Sequence, residues 1–161
     1  MMVFRRLLLL LIPLLLAACG FQLRGEAHLP AEYSPLHIEA EDLSAADRAL
    51  LRAELERAGA TVADGPNGVN RLWVRLQPRA LRGVASSSLG SVSLWRVELR
   101  LEYGIDDASG APLRGPRSLD ESSRVELDDD NPLTARRRLD QAEWRLRQAL
   151  IRRLVFDLQR P

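Results

Sequence analysis

Arg96-Val97-Glu98-Leu99-Arg100-Leu101-Glu102-Tyr103-Gly104-Ile105 carries the cleanest period-two pattern in the chain. Apolar Val97, Leu99, Leu101, Tyr103 and Ile105 alternate with Arg96, Glu98, Arg100 and Glu102. Successive side chains of a strand point to opposite sides of its sheet, so this spacing predicts a strand with one buried and one charged face. Asp106-Asp107-Ala108-Ser109-Gly110 is dense in turn formers and closes it. On the N-terminal side, Leu72, Val74 and Leu76 alternate with Arg71, Trp73, Arg75 and Gln77. On the C-terminal side, Leu119, Ser123, Val125 and Leu127 form a weaker run. Sheets that pack one face and wet the other are typically antiparallel. Gly83–Ser93, which contains Ser86-Ser87-Ser88-Leu89-Gly90, reads as a mobile hairpin loop between two of these strands.

Further out, Leu36-His37-Ile38-Glu39-Ala40 alternates as a short strand. Ser44 and Asp47 form a helix-start pair, and Leu51, Leu55 and Ala58, with Ala46 and Leu50 beside them, recur at helical spacing up to Gly59. These features predict a helix over 44–58. Asp64-Gly65-Pro66-Asn67-Gly68 is a turn. Near the end, Asn131 suits a helix N-cap and Pro132 the first helical position, while Asp128-Asp129-Asp130 face the positive end of the helix dipole. Leu139, Ala142, Leu146, Ala149, Leu150 and Leu154 make one apolar stripe, and Trp144, Ile151 and Val155 a second. The last helix is therefore expected to meet two surfaces. The predicted order is β-α-β-β-β-α. It implies an α+β fold with a four-stranded, mainly antiparallel sheet and both helices on its apolar face.

The start of the chain reads as an address. Arg5 and Arg6 precede an apolar run, Leu7–Leu16, broken only by Pro13, and Ala17, Ala18 and Cys19 follow. The run is about half of the ~20 residues a membrane-spanning helix needs, so it predicts a secretory signal. Residues 1–18 are expected to be removed, 19–35 to be a tether, and 36–158 to form one domain. The remaining 143 residues are enough for a single core. They carry 21 basic against 22 acidic side chains, all the basic ones being arginine, and offer no global field for nucleic acid. Cys19 is the only cysteine, so no internal disulfide can form.

Catalytic chemistry is hard to find in the sequence. His28 and His37 are the only histidines and have no second ligand at metal spacing. Ser86-Ser87-Ser88 has no neighbouring base. Dipole capping accounts for Asp128–Asp130, with a divalent cation as the alternative. Gly65-Pro66-Asn67-Gly68 lacks the lysine of a phosphate loop. The expectation is a protein that is not an enzyme and has no cofactor or metal. Positive charge is more suggestive: Asn131–Pro161 holds eight arginines against Asp140, Glu143 and Asp157, and Arg136-Arg137-Arg138 lie where the helix dipole does not favour cations. Trp73, on the charged side of its strand, is a candidate interface residue.

Leu16-Ala17-Ala18-Cys19 resembles a bacterial lipobox. In that motif the cysteine thiol receives a diacylglycerol, the signal is cut before it, and the new amino group is acylated, as with palmitate. Cys19-Gly20-Phe21-Gln22-Leu23-Arg24 is similar to the mature start of the LPS-assembly lipoprotein LptE family, and the Asp-Asn-Pro opening of the last helix and the β-α-β-β-β-α order fit it as well. The resemblance implies a lipoprotein, acylated on Cys19, on the outer membrane, since residue 20 is not the aspartate that favours inner-membrane retention. It implies a partner, the LptD-type β-barrel LPS translocon, which the protein would plug and help assemble. It also implies contact with lipopolysaccharide phosphates through Arg138, with Arg136 and Arg137 as neighbours. A second basic position of the family falls near Ser88 here, leaving Arg82 or Arg96 to substitute. The alternative is a non-catalytic envelope scaffold lipoprotein that binds peptidoglycan or another assembly machine and has no affinity for lipopolysaccharide.

Overall fold

The computed structural model describes residues 28–86 and 92–160. A short 3-10 turn, Ala31–Tyr33, leads into β1 (Leu36–Glu41), α1 (Ala45–Arg57), β2 (Val62–Ala63), β3 (Asn70–Leu76), β4 (Ala80–Ser86), β5 (Val92–Asp106), β6 (Pro112–Asp128) and α2 (Pro132–Leu158). The fold is α+β, as expected, but the sheet has six strands and is mixed. β1 runs parallel to both β2 and β3, while β3, β4 and β6 are antiparallel to β5. The expectation of four mainly antiparallel strands is corrected on both counts. Alternation reports which face a side chain takes, not the direction of its strand. Here α1 acts as a crossover that returns the chain parallel to β1.

β4 lies within the stretch read as a loop. Its sequence, ALRGVAS, is poor in strand formers, but β5 is 15 residues long and β3 covers only its C-terminal end. β4 takes the N-terminal end on the same side, and β6 runs along the whole opposite side. Of the Gly83–Ser93 stretch expected to be a hairpin loop, residues 83–86 belong to β4 and 92–93 to β5, and residues 87–91 lie outside the described residues. Packing also begins earlier than the tether reading implied. Leu29 and Tyr33 are buried, and Leu29 N–H donates to the Ala58 carbonyl.

Both helix starts follow their sequence signals. Ser44 Oγ accepts from Asp47 N–H at 3.1 Å, and Asn131 Oδ1 accepts from Thr134 N–H at 3.2 Å. Gly59, at φ +86°, ends α1 where an L side chain would be strained. One core joins both helices to one face of the sheet. Leu72, Val74, Val97, Leu99, Leu101, Tyr103 and Ile105 meet Leu51 and Leu55 of α1 and Leu146, Leu150, Ile151, Leu154 and Leu158 of α2. Full burial of each such side chain contributes roughly 1.5–3 kcal/mol. The second stripe of α2 is split: Ile151 and Val155 are buried, whereas Trp144 is exposed.

The opposite face of the sheet carries a ladder of ion pairs. Arg71 bridges Glu39 (3.1 Å) and Asp106 (2.6 Å), Arg75 pairs with Glu41 (2.7 Å), and Arg100 with Asp120 (2.7 Å). Trp73 stands among them, half-buried, over Gly104.

Candidate functional site

Among the described strands β6 pairs only with β5, and arginines of α2 reach over to its other edge. The helix arginines satisfy edge carbonyls that would otherwise face water. Arg138 Nη1 donates to Glu126 O at 2.9 Å, and Arg153 Nη1 donates to Asp120 O at 3.3 Å and to Glu121 Oε1 at 2.7 Å. Between β6 and the N-terminal half of α2 is a cleft of about 440 Å³, lined by Arg124, Arg138, Arg145 and Glu126 above a floor that includes Val125 and Ala142. Arg138 and Arg145 are seven residues apart, two turns on one helix face. All three arginines are exposed, and none has a carboxylate partner among the described residues. Arg136 and Arg137 are exposed too, but they are turned away from Arg138 by the 100° step of the helix and do not line the cleft.

The strand register extends this charge across the sheet. Arg82 of β4 stands directly opposite Arg96 of β5, and Arg96 directly opposite Arg124 of β6. Among the described residues only Glu98 pairs with this row, at 3.0 Å from Arg82 and 3.9 Å from Arg96. Like charges placed directly opposite destabilise a sheet. A row of three arginines leading to two more on α2 is thus costly for the fold and well suited to a polyanion. The sequence reading found Arg138 and named Arg82 and Arg96, but missed Arg124 and Arg145. Arg145 had a signal, its seven-residue spacing from Arg138. Arg124 had none, because register is not visible in one strand.

A second polar cluster closes the far end of α2. Asp157 accepts from Tyr103 Oη and from Arg117 and Arg114, and Arg114, buried to 7% exposure, also donates to the Asp157 carbonyl (2.9 Å) and the Arg160 carbonyl (2.7 Å). Burial alone would raise the Asp157 pKa. The Tyr103 hydrogen bond and the charges of Arg117 and Arg114 outweigh it and hold the carboxyl below its ordinary value. Burial, then the bond to Asp157, pushes the Tyr103 hydroxyl well up. The two shifts favour a carboxylate accepting from a neutral hydroxyl and two guanidiniums, which clamps the end of α2 to β5 and β6.

The remaining expectations can be placed. Cys19 lies outside the described residues. His37 Nδ1 is 3.3 Å from the Ala63 carbonyl, and His28 packs by Gly59. Asp128 Oδ1 accepts from Asp130 N–H in the turn before α2. Among the described residues no group of three His, Cys, Asp or Glu side chains is arranged to hold a metal. No described helix is long and apolar enough to cross a membrane.

No protein-family model matches the chain, and no curated protein matches it. Among the solved structures that share its fold are two bacterial ones. A minor lipoprotein from Acinetobacter baumannii superposes with a TM-score of 0.62 at 15% identity, over 81% of this chain and 93% of that one. An uncharacterized lipoprotein B from Nitrosomonas europaea superposes with a TM-score of 0.62 at 18% identity, over 84% and 88%. Both are bacterial proteins described as lipoproteins. At these identities the likeness is one of fold.

Proposed function

We propose that this chain is a bacterial envelope lipoprotein of the LPS-assembly kind. It is anchored to the outer membrane through acylated Cys19, binds and plugs a β-barrel LPS translocon, supports assembly of that barrel, and contacts lipopolysaccharide without making or breaking a bond. The observation that carries this reading is the arginine belt: Arg82, Arg96 and Arg124 opposed across three strands, continued by Arg138 and Arg145 on α2. Guanidinium forks match phosphate oxygens two bonds at a time, and charge-assisted hydrogen bonds are the strong ones. A molecule with several phosphates engages several forks at once. The ion-pair face suits the polar lumen of a large barrel, with Trp73 as an aromatic anchor within it. The lipobox, with two or more acyl chains, supplies stable membrane attachment. The shared fold with two bacterial lipoproteins supports the same assignment.

The test is retention of the mature protein on immobilised lipopolysaccharide, with the triple variant Arg124→Glu, Arg138→Glu, Arg145→Glu beside it, and co-purification of the wild type with the barrel. The expected result is at least about tenfold weaker retention of the variant at an unchanged circular dichroism spectrum, since several charge-assisted bonds of 1.5–3 kcal/mol are lost. Equal retention of both proteins would refute the lipopolysaccharide contact. A barrel that assembles normally in cells depleted of the protein would refute the partner.

A further inference from the structure

We propose that the pocket between the start of α1 and the middle of α2 binds a sugar ring of an envelope glycan, stacked on Trp144. The inference takes only the envelope location from the reading above and does not use the arginine belt. The pocket holds about 240 Å³ and is lined by Ser44, Asp47, Asp140, Glu143, Trp144 and Arg147. Trp144 is 55% exposed, although Ile151 and Val155 of the same stripe are buried. An indole so placed offers a large, half-open apolar platform.

The polar groups around it are already ordered. Ser44 Oγ donates to Asp47 Oδ2 at 2.7 Å, and Arg147 donates to Asp47 through Nη1 at 3.2 Å and to Glu143 through Nη2. Arg79, in the link between β3 and β4, donates to Glu143 Oε2 at 2.7 Å and lies 3.8 Å from Asp140. Arg147 Nε is buried and has no hydrogen-bond partner. Closed off from water, that atom is closed off from a ligand too, which leaves the Nη groups as the open donors of this side chain.

The charge balance selects the ligand class. Three carboxylates, Asp47, Asp140 and Glu143, surround two guanidiniums, Arg79 and Arg147. A phosphate entering here meets the carboxylates, and a simple cation meets the guanidiniums. An apolar side chain would cover the indole but desolvate the charged groups beside it without bonding to them. A neutral polyol conflicts with none of them. The C–H face of its ring lies on the negative face of the indole, while its hydroxyls donate to Asp140 and Glu143 and accept from the Nη groups of Arg147, whose side chain is 28% exposed and which make one bond each within the protein. The pocket is smaller than the ~300–1,000 Å³ of sites for drug-sized ligands, so it seats one ring and leaves the rest of the glycan in solvent.

Two envelope glycans offer such rings, the core oligosaccharide of lipopolysaccharide and the peptidoglycan strand. The experiment is saturation-transfer NMR with titration on the full mature protein. The probes are lipid-free, dephosphorylated core oligosaccharide and, separately, the GlcNAc–MurNAc disaccharide released from peptidoglycan by muramidase. At least one probe is expected to bind. Trp144→Ala should weaken it roughly five- to tenfold, the scale of a lost aromatic stacking contact, without lowering the unfolding midpoint. Trp144→Tyr should retain most of the binding, and Phe156→Ala, an exposed aromatic elsewhere on α2, should change nothing. Binding of the core sugar alone assigns the site to lipopolysaccharide, and binding of the disaccharide alone assigns it to peptidoglycan; both outcomes support a glycan site. Binding of neither, or binding insensitive to Trp144→Ala, overturns it. So would a Trp144→Ala protein that loses the barrel while neither sugar binds, which would make the indole a protein contact. Because the probes carry no phosphate, failure here is separate from failure of the arginine belt on intact lipopolysaccharide.

Discussion

Gly104 faces Trp73 across the β3–β5 pairing, and a Cβ on residue 104 would come within 2.6 Å of the indole. The absent side chain is what lets an aromatic ring lie flat on the charged face. Gly104→Ala should push the ring outward, destabilise the domain by about 1–2 kcal/mol as overpacking does, and change the tryptophan emission. An unchanged spectrum would show that the indole does not rest there. Asp157 is the other residue whose environment sets its behaviour. Its folded pKa is depressed, so its stabilisation is fully present above the unfolded carboxylate value of about 3.9 and fades as pH falls through the lower folded value. Asp157→Asn should cost about 2 kcal/mol at neutral pH, the scale of hydrogen bonds to a charged group, because Arg114 stays buried beside a neutral amide. The variant should also show a flatter stability profile below pH 4 in denaturant titrations, and an equally steep acid limb would assign that limb to other carboxylates.

At the scale of elements, α2 does two jobs along one edge. Its C-terminal half fills the core, and its N-terminal half covers the β6 edge while holding Arg138 and Arg145 over the cleft. The Asn131 cap fixes where that half begins. Asn131→Ala should cost about 1 kcal/mol and raise hydrogen exchange in the first two turns, loosening Arg138, whereas Asn131→Asp should restore both; equal exchange in all three proteins would show that the edge contacts alone set the helix start. The cap, the stripe of α2, the start of α1 and the alternation of β5 were all legible, because each is a local pattern that one segment carries. β4 was not legible, since ALRGVAS has little strand preference of its own and pairs because β5 leaves an edge open. The parallel direction of β1 was hidden for a related reason, because direction belongs to the path of the chain through α1. The candidate site divides in the same way. Arg138 was singled out only by the family resemblance, counted from Asn131-Pro132, whereas the row Arg82–Arg96–Arg124 exists only once three strands are in register.

For the whole molecule, the proposed division between a lipid anchor and a domain predicts what each does alone. The core runs from Leu29 to Leu158, and the residues that close it at both ends, Tyr33, Arg114 and Asp157, belong to the same packed unit. None of these contacts needs a lipid. Replacing residues 1–19 by an ordinary cleavable secretion signal ahead of Gly20 should therefore give a periplasmic protein with an unchanged unfolding midpoint and no partition into membranes. On the proposed function, its affinity for lipopolysaccharide in solution should equal that of the acylated protein, because the arginine belt lies wholly within the domain. Recovery of lipopolysaccharide-bound barrel complexes from cells should fall, since a tethered domain meets its membrane partner at a far higher local concentration than a free one. Fractionation and co-purification measure the two effects separately. A domain that aggregates without its acyl chains would mean that lipid is part of the fold, and an unlipidated domain that still sediments with membranes would mean that the domain's own surface carries the attachment.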